Sequence, residues 1–75
     1  MIQVTIGTNT SRTRTVVDEN TTLKKALTDA EVDYSVANVH LDGVALKAGD
    51  IDKTFAEMNV KESCFLIAVV KVDNN

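Results

Sequence analysis

The chain has 75 residues, 44% apolar and 25% charged, with a single cysteine, no tryptophan and a formal net charge of −3. One domain over residues 1–75 fits that length, and a chain this short buries only about 60% of its unfolded surface, so the core is small and built from Val, Ile, Leu and Ala. One cysteine excludes an internal disulfide, the acidic balance leaves no footprint for nucleic acid, and no apolar span reaches the roughly 18 residues of a membrane helix. No basic, then apolar, leader opens the chain, so the expectation is a cytoplasmic protein with neither nucleic acid nor membrane as partner.

Met1-Ile2-Gln3-Val4-Thr5-Ile6-Gly7 alternates strictly and predicts a half-buried strand with Ile2, Val4 and Ile6 inward. The polar stretch Thr8 to Thr15 predicts a hairpin turning at Asn9 to Ser11, followed by an edge strand from Arg12 to Val17 anchored by Val16 and Val17. Leu23, Ala26, Leu27 and Ala30 then recur at i, i+3, i+4 and i+7, which predicts an amphipathic helix of about nine residues capped by Asn20 or Thr21. Val32, Tyr34 and Val36 are expected to cover the end of that helix.

Asn38 to Leu46 reads as a short strand, an Asp42-Gly43 turn and a shorter strand, with Val39 and Leu41 inward and His40 outward. After a loop at Lys47 to Asp50, Thr54-Phe55-Ala56-Glu57 has the spacing of a capping box, and Asn59 suits the left-handed residue that ends a single helical turn. The longest apolar run, Cys64 to Val70, predicts a strand in the middle of the sheet. The two most apolar strands, first and last, are expected to lie side by side and parallel, since the intervening helix supplies the crossover.

This pattern resembles the ubiquitin-like β-grasp superfamily over nearly the whole chain. The Ile2/Val4/Ile6 strand, Thr22-Leu23 at the helix start, Val39 to Leu46, and Asp52 to Val60 before Cys64-Phe65-Leu66-Ile67 carry the resemblance. It implies an α+β fold: a four- to five-stranded mixed sheet, one main helix across one face, and a short helical turn before the last strand. Function does not follow from such a fold, which hosts modifiers, sulfur carriers, ferredoxin-type electron carriers and plain interaction domains.

The residues narrow those options. Modifiers and sulfur carriers of the superfamily act through a C-terminal Gly-Gly, whereas this sequence has no glycine after Gly49 and ends in the polar Lys71-Val72-Asp73-Asn74-Asn75, expected to be a flexible tail. An iron–sulfur carrier needs four cysteines. His40 with Asp42 offers too few ligands for zinc, and Asp50-Ile51-Asp52 lacks the rest of a calcium loop. No cofactor, metal or catalytic residue is expected. Cys64 reads as a small hydrophobe, and Asp29, Glu31 and Asp33 as a solvated cluster.

Strand alternation directs attention to the sheet face that the helix leaves bare. With Phe65, Ile67 and Val69 assigned to the helix side, the bare face receives Cys64, Leu66, Ala68 and Val70, beside His40, Gln3 and Thr5. The superfamily resemblance implies a recognition surface there, at His40, Leu66 and Ala68. Arg12 and Arg14, sharing one side of the edge strand, form a secondary candidate as a carboxylate or phosphate clamp. The expected function is a non-catalytic interaction module or adaptor, a monomer or weak homo-oligomer, binding a protein through this face or by β-augmentation of the edge. The alternatives are a modifier or sulfur carrier working with an activating enzyme, and a homo-oligomeric structural component.

Overall fold

A computed structural model describes residues 1–70 of the protein, with Val70 described in its backbone alone; the expected tail, 71–75, lies outside the described residues. Strands β1 (Ile2–Thr8) and β2 (Arg12–Val17) form an antiparallel hairpin, followed by helix α1 (Leu23–Asp29). A second hairpin joins β3 (Ala37–Leu41) to β4 (Val44–Ala45), and β5 (Ser63–Val70) closes the described chain. The sheet order is β2-β1-β5-β3-β4, with β1 and β5 paired in parallel at its centre and β2 at an edge.

Ile2, Val4 and Ile6 are 1%, 0% and 1% exposed, as their alternation requires, and they share one core with Leu23, Ala26, Leu27 and Phe55. Thr22, not Asn20 or Thr21, caps α1: its Oγ1 accepts from the Lys25 N–H at 3.1 Å. Asn20 and Thr21 are held in the preceding turn, their N–H groups donating to Asp18 Oδ1 and O at 2.8 and 2.9 Å. The helix stops after seven residues because Glu31 turns left-handed (φ 59). The Val32 N–H then donates to Leu27 O and the Glu31 N–H to Thr28 O, the two bonds of a Schellman closure. Val32 and Tyr34 pack on the core beyond it, whereas Val36 is 59% exposed.

The capping box forms in both directions, Thr54 N–H to Glu57 Oε1 at 2.9 Å and Glu57 N–H to Thr54 Oγ1 at 3.1 Å. Asn59 is left-handed (φ 63), as its side chain tolerates. The turn is tied to the start of α1, with Leu23 N–H donating to Lys53 O and Phe55 N–H to Thr21 O, so Phe55 is fully buried. A 3-10 turn at Asp50–Asp52 precedes it, at the end of the loop expected over Lys47 to Asp50.

The faces of β5 are the reverse of the expectation. Cys64, Leu66 and Ala68 are 3%, 0% and 0% exposed, while Phe65 is 52% and Val69 36% exposed and Ile67 is half-buried. The reason is register. Val4 pairs with Cys64, Ile6 and Leu41 with Leu66, and Val39 with Ala68, so the inward residues of both neighbours dictate which parity of β5 faces the helix. A run that is apolar at both parities carries no alternation of its own to say so.

Candidate functional site: the open sheet face

Strand pairing sets the bare face out in rows. Arg12, Gly7, Ile67 and His40 lie across β2, β1, β5 and β3; Arg14, Thr5 and Phe65 form the next row, and Val16 and Gln3 the one after. Val69 pairs with Asn38 beyond Ile67. Phe65, Ile67 and Val69 therefore make an apolar ridge along the centre, and a shallow depression of about 440 Å³ runs over it between Arg12, His40 and the Asp42-Gly43 turn.

The polar rim is fixed locally. His40 Nδ1 lies 3.2 Å from the Asn38 carbonyl oxygen, an acceptor that a protonated Nδ1 satisfies. Asp42 Oδ1 accepts the Phe65 N–H at 2.8 Å and makes no hydrogen bond with His40, so the two do not form a catalytic pair. Arg12 and Arg14 are exposed and enter no ion pair among the described residues.

Elsewhere several titratable groups have structural partners. Burial, and then the charge of Asp42, push the Cys64 thiol up to about 11, which removes it as a nucleophile at neutral pH. Asp50 accepts the Lys47 N–H at 3.0 Å and pairs with Lys53 at 3.4 Å, and these contacts lower its carboxyl. Asp33 is lowered by the hydroxyl and N–H of Ser35, and Asp29 pairs with Lys25 at 3.1 Å. Among the described residues no three His, Cys, Asp or Glu side chains are placed to hold a metal ion, and no helix is long and apolar enough to cross a membrane.

Of the expected surface residues, His40, Gln3 and Thr5 do share the bare face. Leu66 and Ala68 do not: both lie in the core beneath α1, because they pair with inward residues. The side chain of Val70 lies outside the described residues. Arg12 and Arg14, read separately from the sequence, belong to the same face as His40. Phe65, Ile67, Val69 and Val16 are the members sequence reasoning missed, and the parity of β5 against β1 was the signal that identifies the first three.

A mixed five-stranded sheet with a central parallel pair and one helix across it is the ubiquitin-like β-grasp fold. The solved structure of Caldiarchaeum subterraneum ubiquitin is similar over 99% of this chain and 98% of its own, at 16% identity and a TM-score of 0.66. A ubiquitin-like protein from the same archaeon is similar over 97% of this chain and 100% of its own, at 15% identity and a TM-score of 0.58. No family model and no curated protein matches by sequence. At these identities the likeness is one of fold.

Proposed function

We propose that the protein is a non-catalytic ubiquitin-like interaction module that docks a protein partner on the open face of its sheet. One observation carries this reading: a ridge of Phe65, Ile67 and Val69 is left on a sheet face that no helix among the described residues covers, with Phe65 52% exposed and Val16 56% exposed nearby. Full burial of a Phe side chain contributes about 1.5–3 kcal/mol, so its exposure in a small domain is a reserve that a partner can use. The polar surround of His40, Gln3, Thr5 and the arginines matches the rim of a protein interface.

The test compares partners cross-linked to the wild type, to Phe65→Asp and to Lys24→Glu, the last altering the exposed side of α1. Loss of a partner in Phe65→Asp and its retention in Lys24→Glu is the expected result; retention in both overturns the assignment of the face. Intact-mass measurement on protein from its host separates this reading from that of a modifier or carrier. An isopeptide adduct, a thiocarboxylate or a trimmed terminus sinks the non-covalent module.

A further inference from the structure

The charges of the open face are arranged to complement those of an identical face. Arg12 and Arg14 stand exposed on the β2 margin and enter no ion pair among the described residues. The opposite margin carries acceptors. Asp42 holds the Phe65 N–H with Oδ1, and its Oδ2 enters no hydrogen bond among the described residues. His40 sets Nδ1 3.2 Å from the Asn38 carbonyl oxygen, which leaves Nε2 as an acceptor. Heights along the strands match across the face: Arg14 shares the row of Phe65, to which Asp42 is bound, and Arg12 shares the row of His40.

We propose that a second copy of this chain occupies the open face, packed sheet to sheet about a twofold axis that runs along the strands between β1 and β5. This rests on the open face being the docking surface, and it names the occupant. Such a rotation keeps each residue's height and exchanges the two sides of the sheet. The order β2-β1-β5-β3 is balanced about that axis, so β2 of each copy lies over β3 of the other, and β5 over β1. Arg14 then faces Asp42 of the second copy and Arg12 faces its His40, each contact being made twice. With stacked sheets about 10 Å apart, an extended arginine bridges the gap to a carboxylate or imidazole on the facing strand.

The apolar ridge fits the same arrangement. Phe65, Ile67 and Val69 of each copy lie over β1 of the other, whose residues on this face, Gln3, Thr5 and Gly7, include no large apolar side chain. The two ridges therefore pack side by side. A twofold axis across the strands would instead lay β2 over β2 and set arginine against arginine, so charge selects between the two. The footprint is small: three strand spacings, about 14 Å, by about 13 Å between Phe65 and Val69, well below the roughly 800 Å² per partner of a stable complex. The dimer is accordingly weak, with a dissociation constant of about 0.1–1 mM, and it masks the open face wherever the chain is concentrated.

The experiment follows the amide shifts of isotopically labelled protein on dilution from millimolar to micromolar concentration, with sedimentation beside it. Concentration-dependent shifts are expected at Thr5, His40, Phe65 and Ile67, with α1 unchanged. Arg14→Asp and Asp42→Arg each set like charges together in both contacts and are expected to weaken association about tenfold or more. Mixed in equal amounts, the two variants form a heterodimer with one native and one swapped pair, and are expected to return to within about threefold of wild-type affinity. Asp42→Asn, which keeps the turn, is expected to weaken association about threefold, so that the effect of charge is read apart from any defect of the turn in Asp42→Arg.

A strict monomer at millimolar concentration, shifts confined to α1 or to the outer edge of β2, association indifferent to Arg14→Asp, or a mixture no tighter than its components overturns the proposal. Phe65→Asp is expected to abolish the concentration dependence, and association that survives it unchanged also overturns the proposal. The open-face reading stands or falls separately, on the partners cross-linked to the wild type and to Lys24→Glu but lost from Phe65→Asp.

Discussion

The Phe65 N–H donates to Asp42 Oδ1 at 2.8 Å, and the Asp42 N–H donates back to the Phe65 carbonyl oxygen at 2.8 Å. This reciprocal pair ties the β3–β4 turn to the start of β5 and so sets where Phe65 stands on the open face. Asp42 also takes a left-handed conformation (φ 51) ahead of Gly43 (φ 85), the pattern of a tight two-residue hairpin turn. Asp42→Ala loses both the acceptor and the tolerance for positive φ and is expected to cost about 1–2 kcal/mol in denaturant unfolding. Asp42→Asn keeps both and should cost less than half as much. Equal losses in the two variants would mean the side-chain bond does not hold the turn.

The reversed parity of β5 has its own signature in stability. Leu66 is 0% exposed, and Leu66→Ala is expected to cost about 2–5 kcal/mol, a large part of what a domain of this size has. Phe65→Ala, at a 52% exposed position, should cost under about 1 kcal/mol despite removing the larger side chain. A larger loss for Phe65→Ala than for Leu66→Ala in the same urea titration would restore the opposite assignment.

That contrast also marks how far the sequence could be read. Ile2, Val4 and Ile6 alternate with polar residues, so their inward face is written in β1 itself; Thr54 and Glu57, three apart, specify their two capping bonds without reference to the rest of the fold. Arg12 and Arg14 announce a shared side, but which side is settled by pairing with Gly7 and Thr5, a long-range fact. Cys64 to Val70 is apolar at every position, and only Val4, Ile6, Val39 and Leu41 across the ladder decide its faces. The candidate site was legible where polarity alternates and hidden where it does not.

Cys64 gives the stability a pH dependence on the alkaline side. Its thiol stands at about 11 in the fold against an ordinary value of 9.0, so the folded state disfavours the thiolate. Below about 9 the thiol is protonated in both states and its full contribution is present; as pH rises towards 11 the unfolded chain ionises first and stability falls. Denaturant titrations at pH 8 and pH 10 should show a larger drop for the wild type than for Cys64→Ala. Equal drops would show that Cys64 does not carry the effect. Labelling by a thiol reagent at pH 8 should require opening of the fold.

Glu31 closes α1 in a conformation that suits glycine better. Its φ of 59 places the side chain where Cβ crowds the following carbonyl, at a cost of about 1–2 kcal/mol that glycine avoids, partly offset by glycine's greater freedom in the unfolded chain. Glu31→Gly is expected to raise the unfolding free energy by about 0.5–1 kcal/mol, and Glu31→Ala to leave it nearly unchanged. A gain from Ala as large as that from Gly would point to the removed charge instead of the backbone.

Gly7 links the hairpin to the arginine margin. A Cβ there would collide with the Ser11 carbonyl oxygen and come within 2.8 Å of Arg12 Cα, both backbone atoms that cannot swing aside. The Thr8 N–H donates to that same Ser11 oxygen at 2.7 Å, so relieving the clash loosens the bond that closes the β1–β2 turn. Gly7→Ala is therefore expected to cost about 1–3 kcal/mol and to displace Arg12 more than Arg14, which pairs one row further from the turn. Amide shifts should spread through Thr8 to Thr13 while those of β3 and β4 stay in place. A variant of wild-type stability with shifts confined to residue 7 would show that the close approach does not constrain the hairpin.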